Sequence, residues 1–140
     1  MNEWTRYILI KFSAYALWSA AGLALLRREP PRGARLFFTS LGLGGLRLAL
    51  GMGFGFVVFL CAGLLPIHGT FRDYVAIYAP VRVVEWGILA AVIQSGGRGR
   101  GWKTPRLWIW IALGILVSFA ADIGSPIPIK ERFCIGRCLC

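Results

Sequence analysis

The segment from Asp73 to Gln94 reads DYVAIYAPVRVVEWGILAAVIQ. It is long and apolar enough to cross a bilayer, which takes about 20 such residues. Its interior nevertheless holds Arg82 and Glu85, three residues apart and therefore on one helical face. Charges in an apolar helix are costly unless they meet each other, a neighbouring helix or water. A chain containing this segment has to surround it, and the rest of the sequence has the means to do so.

Three further apolar runs accompany it, at about 7–26, 36–65 and 107–124. Hydrophobic residues make up 57% of the chain, against about 45–50% in soluble domains, and the mean hydropathy is +0.66. The fold class predicted is all-α: a polytopic integral membrane protein built as a four-helix transmembrane bundle. Residues 1–140 form one transmembrane domain, with an extended cysteine-containing tail over 125–140. The second run is long for a bilayer, since about 30 residues at ~1.5 Å each reach ~45 Å against ~30 Å of hydrocarbon. It is also rich in glycine, so an alternative topology has three spans plus a re-entrant or broken second segment.

The charge pattern fits the same reading. The net charge is +10, from 16 Lys+Arg against 6 Asp+Glu. A basic soluble protein would suggest nucleic acid, but here the arginines fall in short segments between apolar runs. They predict contact with anionic lipid headgroups and no nucleic-acid partner. The Gly-rich segment 95–106 lacks the spacing and preceding strand of a phosphate-binding loop. Segments 27–35 and 95–106 carry four Lys+Arg each, whereas the turn between the middle runs has only Arg72. The positive-inside rule then places both basic loops in the cytoplasm and both termini outside, in a multi-pass plasma-membrane topology. The basic tail (Lys130, Arg132, Arg137) pulls weakly the other way. The first run has no positive n-region and is followed by Arg27 and Arg28, as expected of a retained helix.

Depth counting brings the internal charges together. Arg47 lies ~15 Å in from the cytoplasmic end of the second helix. Glu85 and Arg82 lie ~14 and ~18 Å in from Gln94. On antiparallel neighbours joined by a short turn, Arg47, Arg82 and Glu85 occupy one layer. Pro80 removes a backbone hydrogen bond just before Arg82. Two arginines and one glutamate leave a surplus positive charge, for which Asp122 and Asp73 are secondary partners. Lys11, about one turn into the first helix, is expected to snorkel to the surface. Asp122, near the end of the fourth, is expected to reach water. Trp4, Tyr7, Trp102, Trp108 and Trp110 read as interfacial anchors.

Small residues point to helix packing. Ser40 with Gly44, and Gly51 with Gly55, form small-xxx-small pairs that let helices approach closely, within the chain or against partner helices. Cys134, Cys138 and Cys140 lie in the tail and Cys61 near the outer end of the second helix, giving a possible set for disulfides or a metal. The spacing is not that of a zinc knuckle, and no metal site is assigned. Lone His68 reads as a solvated loop residue and excludes a bis-histidine haem. No cofactor and no catalytic residue is predicted, since no hydrolase, metalloprotease or nucleotide-binding motif occurs.

Three functions follow from this reading. The first is a non-enzymatic membrane subunit or scaffold packing with partner transmembrane helices in a homo-oligomer or complex. The second is a small oligomeric transporter or channel using Arg47, Arg82 and Glu85. The third is a membrane enzyme acting on a lipid or thiol substrate.

Overall fold

The computed structural model describes residues 3–61, 71–95 and 101–123. The described residues form four α-helices: α1 (Glu3–Leu26), α2 (Gly33–Cys61), α3 (Phe71–Gln94) and α4 (Pro105–Ile123). All four are long and apolar enough to cross a membrane by length and composition. His68, Arg98, Arg100, Cys134, Cys138, Cys140, the tail and the last four residues of the expected second span lie outside the described residues.

Local signals explain the boundaries. Pro30 and Pro31 follow α1, and neither can donate a helical hydrogen bond. The chain re-enters helix at Gly33, whose φ of 55° is costly for any residue with a Cβ. At α4, Thr104 occupies the N-cap and Pro105 the first helical position, where its missing N–H has no consequence. The Thr104 carbonyl accepts from Leu107 N at 3.0 Å. Arg27 Nε donates to the Ile93 carbonyl at 3.0 Å, satisfying one of the orphan acceptors that end α3. α2 is one continuous helix of 29 residues, so the expected second segment is unbroken as far as Cys61. α3 is likewise continuous through Pro80.

The contacts define an up-down-up-down bundle. Each helix packs on its neighbours in sequence, α4 closes on α1, and α1 also meets α3 across the bundle. The start of α1 meets the end of α4 (Tyr7 with Asp122), while Arg27 meets the end of α3. α1 and α3 therefore run parallel, and α2 and α4 oppose them.

Two apolar clusters fill the interior. The larger includes Leu23, Leu26, Leu43, Leu89, Ile93, Leu107 and Trp110; the smaller is Val58, Tyr74 and Tyr78. A band of buried charge lies between them. Large apolar side chains such as Leu17, Phe38, Leu60, Ile109 and Leu116 point outward, as they do where the surrounding solvent is lipid.

Trp110 departs from the sequence expectation. It is 1% exposed, while Trp102 and Trp108 are about half exposed. Two residues along a helix rotate the side chain by ~200°, so Trp108 and Trp110 cannot share a face. Trp110 Nε1 donates to the Trp18 carbonyl at 3.1 Å, and Trp18 Nε1 donates to the Trp110 carbonyl at 3.2 Å. This reciprocal pair joins α1 to α4.

Candidate functional site: a buried chain of charges

All four helices contribute to the charged band. Lys11 comes from α1, Arg47 from α2, Arg82 and Glu85 from α3, and Asp122 from α4. Each is buried, none more than 7% exposed.

Arg47 Nη2 lies 2.6 Å from Glu85 Oε2, a short charge-assisted contact. Arg82 Nη1 is 3.7 Å from the same oxygen, while its Nη2 is 2.8 Å from Asp122 Oδ2. Asp122 is thus the closer partner of Arg82, and Glu85 serves chiefly Arg47. Lys11 Nζ is 2.5 Å from Asp122 Oδ1. Lys11 therefore turns inward instead of snorkelling. The cause is Asp122: taking two opposite charges from water becomes tolerable when they meet with good geometry. Asp122 in turn is not left to water. It also accepts from the Tyr7 hydroxyl at 3.2 Å and the Tyr74 hydroxyl at 2.6 Å. Tyr7 is thus a core ligand of Asp122 and not an interfacial anchor.

Uncharged groups complete the site. Ser118 Oγ accepts from Trp86 Nε1 at 3.1 Å and from Arg47 Nη2 at 3.4 Å, and donates to the Gly114 carbonyl at 3.0 Å. The Arg47 guanidinium lies 4.8 Å from the Tyr15 ring centre and 5.3 Å from that of Trp86, within cation–π range. Tyr15 Oη accepts from Arg82 at 3.4 Å.

The sequence-predicted layer of Arg47, Arg82 and Glu85 is brought together, and Asp122 joins it. Asp73 sits half-buried in the first turn of α3. It is nine residues from Arg82, or ~13 Å along the helix, and belongs to a different level. Tyr15, Trp86 and Ser118 were missed. Their only signal was position: each lies one helical turn or less from a buried charge or its partner helix.

The small residues are used within the chain. A Cβ at Gly44 would lie 2.9 Å from the Ala16 backbone nitrogen of α1. At Gly51 it would lie 3.3 Å from Arg47 Nη1 and 3.7 Å from Glu85 Oε1. Gly55 is buried. Cys61 is exposed. Among the described residues, no group of three His, Cys, Asp or Glu side chains is placed to hold a metal.

A small cavity opens beside the charges, between α1 and α2. Tyr7, Lys11, Tyr15, Arg47, Gly51 and Arg82 line it, together with Ile8, Leu48 and Met52. About 10 Å³ is free for the centre of a water-sized occupant, which is room for roughly one water.

No protein-family model matches the chain, and comparison with curated proteins and with solved structures finds no match.

Proposed function

We propose that this chain is a multi-pass membrane protein of the plasma membrane, with both termini outside, that handles an anionic substrate within the bilayer as a small transporter or channel. One observation carries the reading. Five ionisable side chains are buried on four apolar helices, with three cations against two carboxylates. Charges at this depth are costly and commonly mark ion or substrate pathways.

The scaffold reading rests on glycines free to meet partner helices. Gly44 and Gly51 instead face α1 and the charged band, while Gly42 and Gly53 meet nothing within 4 Å and leave the scaffold reading an open face on α2.

Reconstitution tests it. Liposomes loaded with chloride, nitrate, acetate or phosphate should lose at least one of these anions faster when they contain the protein. Glu85→Gln and Arg47→Gln should change that rate while still inserting as monodisperse proteins. If no anion moves, or if both variants merely lower yield, the charges serve only to lock the helices.

A further inference from the structure

Two hollows on the outside of the bundle meet where α1 gives way to α2. One is an apolar groove between these two helices, about 430 Å³ in volume. Small residues make room for it: Ser13, Ala16, Ala20 and Gly33 lie in its lining beside the larger Leu17 and Phe37. A Cβ at Gly33 would meet nothing within 4 Å, so the groove is open at that end. The Ser40 hydroxyl, also in the lining, donates to the Phe37 carbonyl of its own helix at 2.8 Å, and that satisfied proton leaves the α2 wall apolar in character.

The other hollow is polar, about 380 Å³ in volume, and lined by Arg27, Glu29, Pro30, Pro31, Arg32 and Arg35. Arg27 is held by the Ile93 carbonyl. Arg32 and Arg35 are exposed, and no carboxylate among the described residues pairs with either. The two hollows interleave along the chain: Arg32 precedes Gly33 of the groove, and Arg35 precedes Leu36. The groove also has the length of one leaflet. α2 lines it from Gly33 to Leu41, a rise of ~12 Å, against ~15 Å for half of the hydrocarbon core. Guanidinium groups match phosphate geometry, and anionic leaflets attract basic residues that flank membrane helices.

We propose that these hollows together bind one anionic phospholipid, with its phosphate on Arg32 and Arg35 and one acyl chain laid along the α1–α2 groove. The inference rests on the membrane reading and is independent of the transport reading. A zwitterionic lipid fills the groove equally well but brings an ammonium group to the arginines. A free phosphate gains nothing from the groove.

Native mass spectrometry of the detergent-purified full chain, titrated with phosphatidylglycerol, tests the site. The expected result is one phosphatidylglycerol retained per chain, about tenfold or more tighter than phosphatidylcholine with the same acyl chains, and no retention of glycerol phosphate. Arg32→Gln combined with Arg35→Gln should bring the affinity for phosphatidylglycerol down to that for phosphatidylcholine. Ser13→Phe, at an exposed position in the groove, should weaken both lipids with helicity retained by circular dichroism. The arginine pair decides the matter if Ser13→Phe fails to fold. Equal retention of the two lipids, or phosphatidylglycerol binding unchanged in both variants, would overturn the proposal. Glycerol phosphate held as tightly as the lipid would reduce the site to a phosphate hollow and overturn it too. So would a dimer that excludes lipid and that Ser13→Phe separates, since the groove would then belong to a second copy. A chain that floats with phosphatidylcholine vesicles but selects no lipid loses this site alone. A chain that floats with neither phosphatidylcholine nor phosphatidylglycerol vesicles loses the membrane reading as well.

Discussion

Asp122 accepts from Lys11 and Tyr7 of α1 and from Tyr74 and Arg82 of α3. One carboxylate on α4 therefore satisfies four donors from two other helices. Asparagine in its place keeps the shape but removes the charge that two cations require. Breaking a buried pair on one side costs about 3–5 kcal/mol, so Asp122→Asn should lower the unfolding free energy in mixed micelles by that order. A change below about 1 kcal/mol would mean that water reaches the cations. The position of this residue was only half legible in the sequence. Arg47, Arg82 and Glu85 could be aligned because a short turn makes α2 and α3 antiparallel neighbours, so depth can be counted from known ends. Lys11 and Asp122 lie near helix ends, where water is the default partner for a charge. Their contact depends on α1 meeting α4, and chain order alone does not supply that.

Between elements, two glycines of the described residues sit directly against tryptophan rings. A Cβ at Gly22 would fall 2.6 Å from the Trp110 ring, and one at Gly114 would fall 2.8 Å from the Trp86 ring. Trp86 and Trp110 themselves meet edge to face, with ring centres 5.2 Å apart, a favourable geometry for aromatic pairs. Overpacking of a filled core costs typically about 1–3 kcal/mol. Gly22→Ala and Gly114→Ala should each lower the midpoint of thermal unfolding and weaken the near-ultraviolet dichroism of the buried tryptophans. Gly42→Ala, which meets nothing within 4 Å, is the control and should leave both unchanged. The helices themselves were readable from length and apolarity, with ends that coincide or are displaced by up to four residues. Their inward faces were not. In a helix surrounded by lipid both faces are apolar, so the alternation that marks the buried side of a soluble helix is weak. Trp110 and Tyr7 were misplaced for this reason, since an aromatic near a helix end serves equally well inside or at an interface.

For the whole molecule, the arginines after α1 (Arg27, Arg28, Arg32, Arg35) and the described basic residues before α4 (Lys103, Arg106) lie at one end of the bundle, and Asp122 lies at the other. The proposed orientation puts the arginine-rich end in the cytoplasm. In a background with the native cysteines replaced, Arg32→Cys should react with a membrane-impermeant maleimide only after the cells are opened. Labelling of intact cells would invert the topology. The alternating chain of charges also governs how the bundle is made. Synthesis proceeds from α1 to α4, so Lys11 and Arg47 emerge before either carboxylate exists. They cannot relieve each other, being of like sign. α3 brings Glu85 but also Arg82, so its arrival leaves the positive excess unchanged. Asp122, one residue from the end of α4, brings the carboxylate that Lys11 of the first helix meets, and it is the last of the five charges to be made. In a bilayer the early helices would therefore stay with the insertion machinery until the last is complete, and the order of translation becomes part of the folding problem.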